Sequence, residues 1–585
     1  MTTSTGINRV LLCALNAKYI HSSLSIRYLS AYIQSSKVGL PVTIKEFTIN
    51  ESIQSIMAEI YRLQPDVLGL SCYIWNIKII LEICADFKRV SPQTIIILGG
   101  PEVSYDAEQV LIDNACIDII VRGEGEQSLQ ELLMALHEGH TLDKVKGISY
   151  RIEEEIHRNP ERDLIANLDE VPFPYLDNLD ELMDRIVYYE SSRGCPFRCS
   201  YCLSSTTKSI RYLSIDRVKS DLALMLRHNV REIKFVDRTF NCDEHRAREI
   251  MNFIIEHRTN VKIHFEIDAS LLSEAMLDFM RQVPPDLFNL EIGVQSTFKP
   301  ALEAVRRNFD WEKLSGNIKR LKSFRNFHLH LDLIAGLPGE GYEDFTQSFN
   351  MVYALEPDVL QLGFLKLLKG SDLRKESDRY DYVFQFNPPY QVLSTNCMKY
   401  EEILSLSFIE DILGKYYNSG SMRKTVAYIV KEIYAGKAIG FYEDFVAYWQ
   451  FNSLFGIGHK KEVLYQYLQE FIIKNYPSHS EISHELLKYD YLCFNHRHGL
   501  PEGLISNNPS NCNDIINKFT RDENFVIQYL SEMSMKSPRE IRKYLRVEYF
   551  HVDPRTLVKV RTAIPIMFIY RPVTKVDAKV IYLAG

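Results

Sequence analysis

Two stretches of this 585-residue chain alternate short apolar runs with longer amphipathic ones, and that alternation restricts the fold more than any other feature. In the second stretch the strand-like runs are 188–192, 232–236, 262–267, 288–294, 328–334 and 359–365. Helix-like runs follow them at 215–228, 243–257, 270–283, 299–306, 311–324 and 342–355. Parallel strands need a crossover of a dozen or more residues, usually a helix, so this spacing predicts βα units and a parallel sheet. In the first stretch the strand-like runs are 10–15, 42–47, 67–72, 94–99 and 117–122, with helix-like runs at 25–35, 53–63 and 79–90. Its strands are continuously apolar, as in a doubly wound sheet covered on both faces.

The expected divisions are a domain at 7–150, a linker at 151–184, a second domain at 185–385 and a mostly helical region at 386–585. Residues 151–167 are charge-rich, and Pro172 and Pro174 punctuate the connection. After Pro388 and Pro389, apolar residues recur at helical spacing, as in Ile403, Leu404, Phe408, Ile409 and Ile412. Runs 564–570 and 579–583 read as two paired strands. Hydrophobic residues make up 46% and charged residues 25%, a composition that supports large cores and excludes a disordered or fibrous chain. Lys and Arg number 68 against 76 Asp and Glu, a net charge of -8 that disfavours a nucleic-acid partner. No apolar stretch approaches the roughly 20 residues of a membrane span, and residues 1–6 carry no basic leader, so the expectation is a cytoplasmic protein without a membrane partner.

Of the 11 cysteines, Cys195, Cys199 and Cys202 form a C-x3-C-x2-C cluster. Three thiolates within eight residues reach one soft metal centre from a loop. A structural zinc site takes four ligands, and no further Cys or His lies between His157 and His228 to complete one. Iron-sulfur clusters also take four protein ligands as a rule, so three cysteines leave one iron open to a group that is not protein.

This spacing, with Tyr201 just before the third cysteine, resembles the signature of the radical S-adenosylmethionine (SAM) superfamily. The resemblance implies a [4Fe-4S] cluster on Cys195, Cys199 and Cys202, whose open iron chelates SAM and whose reduced form cleaves it to a 5'-deoxyadenosyl radical. An external one-electron reductant such as flavodoxin or ferredoxin is then the implied partner. The strand ends extend the resemblance and imply SAM contacts at Tyr201, Asp237, Glu266, Gln295, Ala335 and Gly336. Glu291-Ile292-Gly293-Val294-Gln295-Ser296 is similar to the family's E-x-G-x-Q-S segment, which makes Gln295 the implied ribose contact. On the residues alone, Asp237, Glu266, Asp268 and Asp332 read equally well as solvated loop carboxylates or helix caps.

The first stretch is similar to the cobalamin-binding domain that precedes the radical SAM barrel in B12-binding radical SAM enzymes. The fold class so implied is α/β: an N-terminal doubly wound, Rossmann-like cobalamin-binding domain, a central partial (β/α)6 radical SAM barrel and a mostly helical C-terminal domain. That last domain resembles the domain of uncharacterised function found on one subgroup. The implied cobalamin contacts are Ser71, Tyr73, Gly99, Gly100, Gly123 and Glu126. The cobalamin fold's D-x-H-x-x-G motif survives only as His21, without its aspartate or glycine, so a surface histidine is the alternative to a cobalt ligand. Trp75 and Tyr73 face the corrin or belong to the core. The architecture implies C-methylation of an unactivated carbon. Its alternatives are a non-methylating B12-dependent radical rearrangement or cyclisation, and a cobalamin or iron-sulfur sensor. No catalytic residue and no substrate follow from the sequence.

Overall fold

The structure, a computed structural model, describes residues 6–583 apart from 37–38, 177–178, 208, 229, 258–259, 308–309, 496–498, 511, 534 and 571–577. Most of the segment read for a leader, residues 1–5, thus lies outside the described residues. The chain divides into two compact units, one of residues 1–345 and 362–403 and the other of 346–361 and 404–585.

The first unit opens with a seven-stranded sheet. Its strands are β1 (Val10–Asn16), β2 (Val42–Thr48), β3 (Val67–Ser71), β4 (Ile95–Gly99), β5 (Ile119–Val121), β6 (Ile148–Ile152) and β7 (Glu155–Arg158), in the order β2-β1-β3-β4-β5-β6-β7. The first five pair in parallel, and β6 and β7 add antiparallel at one edge. Residues 151–158, expected as linker, are therefore sheet. A charge-rich edge hairpin needs no apolar run, since only one side of it packs.

Alternate residues of β1 serve the two faces. Leu11, Cys13 and Leu15 pack in one core with α2 (Ile53–Leu63) and α3 (Ile77–Val90). Val10, Leu12 and Ala14 pack in another with α1 (Leu24–Ser35) and α4 (Gly125–Glu138). Burial on both sides is why these strands read as unbroken apolar runs.

The second sheet contains β8 (Ile186–Tyr189), β11 (Glu232–Phe235), β12 (Lys262–Ile267), β13 (Phe288–Gln295), β14 (Phe327–Ala335) and β15 (Val359–Phe364), in the order β15-β14-β13-β12-β11-β8. The short β9 (Ser192–Arg193) and β10 (Arg211–Tyr212) pair beside it and enclose the cysteine segment. The strands β8, β11, β12, β13 and β14 are parallel in register. Along β13 buried and half-buried residues alternate strictly, so one face lies under the helices and the other stays partly open. That second face carries Lys234, His264, Glu266, Glu291, His330 and Asp332.

A helix was expected over 270–283. The chain instead forms a short turn at Ala269–Leu271 and then helix Glu274–Met280, because Asp268 accepts from the Ser270 amide and Ser273 from the Met276 amide. Two short caps divide what the apolar pattern joined.

The second unit is mainly helical, with Ala438–Phe451, Lys461–Asn475 and Ser480–Phe494 among its longer helices. It also holds an antiparallel sheet of Leu545–Val552, Lys559–Ile569 and Lys579–Tyr582. The latter two strands cover the expected pair, and the first was not foreseen.

Candidate functional site

A cavity of about 970 Å³ opens at the C-terminal ends of β1, β3, β4 and β5. In doubly wound sheets this is the ligand edge, where the strand order reverses between β1 and β3. Its far wall is made by Tyr188 and Glu190 at the end of β8, Arg193 in β9, and Val236 and Arg238 after β11. Both parallel sheets therefore contribute to one chamber. All six residues expected to meet cobalamin, Ser71, Tyr73, Gly99, Gly100, Gly123 and Glu126, line it.

The local reasons differ. Gly100 has φ +108, and a β-carbon there would lie 2.5 Å from the Cys72 carbonyl oxygen, so only glycine passes this turn. Gly123 has φ +71 with nothing within 4 Å of its would-be β-carbon, which leaves open cavity above the backbone. Ser71 Oγ lies 3.0 Å from Ser25 Oγ. Tyr73 stacks on Trp75 at 4.4 Å, and the indole donates to the Leu15 carbonyl at 3.1 Å, which fixes both rings at the cavity wall. Glu126 is turned toward Arg193, 2.8 Å away. His21 also lines the cavity, with Nδ1 2.7 Å from the Tyr188 hydroxyl. Burial, followed by Lys18 and Lys234, lowers the pKa of His21 and favours the neutral ring.

The cysteine segment follows β9. Gly194 has φ +108, and a β-carbon there would strike the Ser209 carbonyl. Cys199 is buried, while Cys195 and Cys202 are half-buried. Cys195 Sγ lies 3.9 Å from Thr239 Oγ1. Arg307, which the sequence reading passed over, points one guanidinium nitrogen at Cys199 Sγ, 3.8 Å away, and donates from another to the Gly293 carbonyl at 2.6 Å. It thereby ties the cysteine segment to Glu291–Ser296. Its position 108 residues from Cys199 left no sequence signal.

The residues expected to touch SAM are distributed around this segment. Tyr201 packs against a buried cluster that includes Leu302, Leu337 and Leu365, and burial raises its phenol pKa above the ordinary range. Asp237 is 1% exposed, and its carboxylate accepts from the Ser191 amide at 2.9 Å, Ser191 Oγ at 2.7 Å and Ser192 Oγ at 2.5 Å. It holds the strand that leads into the cysteines. Glu266 ends β12, where burial raises its pKa against the opposing pull of Arg238. Glu291 accepts from Lys234 at 3.0 Å and lies 2.8 Å from His264 Nε2; burial pushes its pKa up, but these partners prevail and bring it to about 2. A register shift between Gly293 and Gln295 breaks the β13–β14 ladder, and Gln295 sits at φ +71. The Ala335 carbonyl accepts from the Leu365 amide and the Gly336 carbonyl from the Tyr382 hydroxyl, both at 2.9 Å.

These residues fit the implied groups on three observations. The C-x3-C-x2-C spacing of Cys195, Cys199 and Cys202 offers three thiols, which match a cluster with one open iron, although no three His, Cys, Asp or Glu side chains among the described residues are drawn together tightly enough to hold a metal by themselves. Gln295 Oε1 is buried without a hydrogen-bond partner, an acceptor in want of a donor such as a sugar hydroxyl. The bare backbone at Gly123 leaves room for a flat macrocycle against the sheet edge.

The B12 binding domain family matches residues 10–133, the radical SAM superfamily residues 189–352, and the protein of unknown function family DUF4080 residues 378–567. The chain is a B12-binding radical SAM enzyme with a C-terminal DUF4080 domain, and its cofactors are a [4Fe-4S] cluster, SAM and cobalamin.

An uncharacterised methyltransferase of Pyrococcus horikoshii is 26% identical over 387 residues, spanning 64% of this chain and 82% of that protein. The cobalamin-dependent radical SAM methyltransferase TokK of Streptomyces tokunonensis is 24% identical over 429 residues, spanning 66% of this chain but only 62% of TokK. An anaerobic magnesium-protoporphyrin IX monomethyl ester cyclase of Rubrivivax gelatinosus is 23% identical over 385 residues, spanning 62% of this chain and 67% of the cyclase. In fold, the cobalamin-dependent SAM radical enzyme OxsB with aqua-cobalamin bound superimposes with a TM-score of 0.59 at 18% identity, covering 92% of this chain and 81% of OxsB. Among the described residues no helix is long and apolar enough to cross a membrane.

Proposed function

We propose that this chain is a cobalamin-dependent radical SAM methyltransferase that places a methyl group on an unactivated carbon. The observation that carries the reading is the single cavity walled by the ligand edge of the first sheet and by the strand ends next to the cysteines of the second. When bound, the cluster and SAM supply a hydrogen-abstracting radical and cobalamin supplies a methyl carrier.

The chain's own residues do the rest. Cys195, Cys199 and Cys202 would hold the cluster, Gln295 would accept from the SAM ribose, and Gly99, Gly100 and Gly123 would let the corrin approach the backbone. Apolar side chains such as Leu12, Ile26, Leu29, Leu70 and Ile97 on the cavity wall limit water at the reacting carbon. His21, whose neutral form burial favours, is held against that wall by the Tyr188 hydroxyl. An external one-electron donor such as flavodoxin or ferredoxin completes the system, with no nucleic-acid partner. A non-methylating rearrangement or cyclisation is the second reading, favoured by the cyclase among the relatives.

The test is anaerobic reconstitution with iron, sulfide and hydroxocobalamin, then reduction in the presence of SAM with mass detection. Formation of both 5'-deoxyadenosine and S-adenosylhomocysteine is expected. Deoxyadenosine alone would favour the second reading, and neither product from the loaded protein would point to a sensor. Cys195→Ala, Cys199→Ala and Cys202→Ala are each expected to abolish deoxyadenosine formation; retention of it in a triple variant would refute the cluster assignment.

A further inference from the structure

The cavity wall carries four arginines, and their pairing is uneven. Arg122 pairs with Glu161, and Arg158 pairs with Glu108 and Glu161, all within the first 161 residues. Arg238 has no ion pair with a described residue. Arg193 alone of the four pairs with carboxylates from both sheets' regions. Its Nη2 lies 2.8 Å from Glu126 Oε1 and 2.9 Å from Glu190 Oε2, its Nε 3.1 Å from the same Glu190 oxygen, and its Nη1 3.3 Å from Glu124 Oε1.

Glu124 and Glu126 flank Gly125 at the start of α4, where the first sheet meets the cavity. Glu190 follows β8, and Arg193 itself stands two residues before Cys195. The guanidinium is 18% exposed, and the three carboxylates 6% to 16%. Arg211 shares Glu124, so two cations serve three carboxylates across the junction.

An ion pair this enclosed resists separation, because a partner left alone keeps its desolvation cost without its counter-charge. The fork of Arg193 also spans directions that a point charge cannot. A displacement of the Gly123–Glu126 loop therefore moves the same guanidinium that orients the strand leading into the cysteines.

We propose that Arg193 is a positioning residue that couples the two cofactor sites, so that cobalamin at the first sheet and SAM at the cysteine segment each tighten binding of the other. The inference rests on the cofactor assignment above and does not depend on methyl transfer. Linkage requires the two effects to be equal in size.

The test uses full-length protein with its cluster reconstituted and kept oxidised, without reductant. Hydroxocobalamin affinity is measured by equilibrium dialysis with and without saturating SAM, and SAM affinity with and without saturating hydroxocobalamin. In the wild type each ligand is expected to tighten the other by the same factor, about fivefold or more. Arg193→Gln is expected to bring that factor to about one, and Arg193→Lys to restore part of it. A wild-type factor of one, or an unchanged factor in Arg193→Gln, would overturn the proposal. If Arg193→Gln shows no cooperative melting transition, the double variant of Glu124→Gln and Glu126→Gln replaces it, since Arg193 then keeps only Glu190, on its own side of the junction; an unchanged factor there overturns the proposal equally. Wild-type protein that binds no hydroxocobalamin at all would instead overturn the cofactor assignment, and this inference with it.

Discussion

Asp237 shows what a strand-end carboxylate does once three donors converge on it. The family resemblance implies a SAM contact for it, with a cap or loop role as the alternative, and in the structure its oxygens are engaged by Ser191 and Ser192. Arg246 donates to the Ser191 carbonyl at 3.1 Å and braces the same strand. Asp237→Ala would leave three buried donors without an acceptor, a loss of about 2 to 3 kcal/mol at minimum. The expected outcome is a lower urea midpoint together with less iron per chain after reconstitution, with Asp237→Asn between Ala and wild type. A wild-type midpoint and iron content in Asp237→Ala would show that the carboxylate does not anchor the segment. Arg307 and Arg193 illustrate the other limit of a sequence reading, since Cys199 for the first and Glu126 for the second are brought near only by the tertiary fold.

At the scale of elements, most strands and helices of the first unit were legible because their apolar periods match burial on one or two faces. The polar face of the second sheet was not, since Lys234, Glu291 and His264 satisfy one another across three strands and alternation alone does not name partners. In the second unit, helix Arg423–Tyr428 begins on a buried carboxylate. Asp490 is 4% exposed and accepts from the Thr425 amide at 2.8 Å and Thr425 Oγ1 at 2.7 Å. Burial pushes its pKa from the ordinary 3.8 up to about 7, despite those bonds. The folded chain thus holds this proton more tightly than the unfolded chain. The group's contribution to stability is therefore greatest below about pH 4, falls as pH rises toward about 7, and is level above that. Asp490→Asn is expected to remove this fall, so that wild type loses on the order of 3 kcal/mol more than the variant between about pH 5 and about pH 8. Denaturant unfolding of both proteins across that window checks it, and parallel pH profiles would contradict it.

For the whole molecule, the strand-helix alternation and the cysteine spacing carried the architecture, because each is a local pattern set by a fixed period or a fixed ligand reach. The edge hairpin β6–β7 and strand Leu545–Val552 escaped, as neither is marked by an apolar run that only a strand could bury. One wall of the cavity was legible as the strand ends that carry Ser71, Tyr73, Gly99, Gly100, Gly123 and Glu126, but the residues that face it were not, since the lining comes from segments more than two hundred residues apart, from Leu12 to Arg238. Cobalamin is expected to bind in this cavity. Hydroxocobalamin titration of wild type, Gly123→Phe and Gly139→Phe tests it most directly, because Gly123 at φ +71 lines the cavity while Gly139 at φ +72 does not, and neither has an atom within 4 Å of its would-be β-carbon. Backbone strain is thereby matched. Wild type and Gly139→Phe are expected to bind one corrin per chain, and Gly123→Phe to bind at least about tenfold more weakly, the equivalent of about 1.4 kcal/mol. Equal affinity in all three proteins would contradict it.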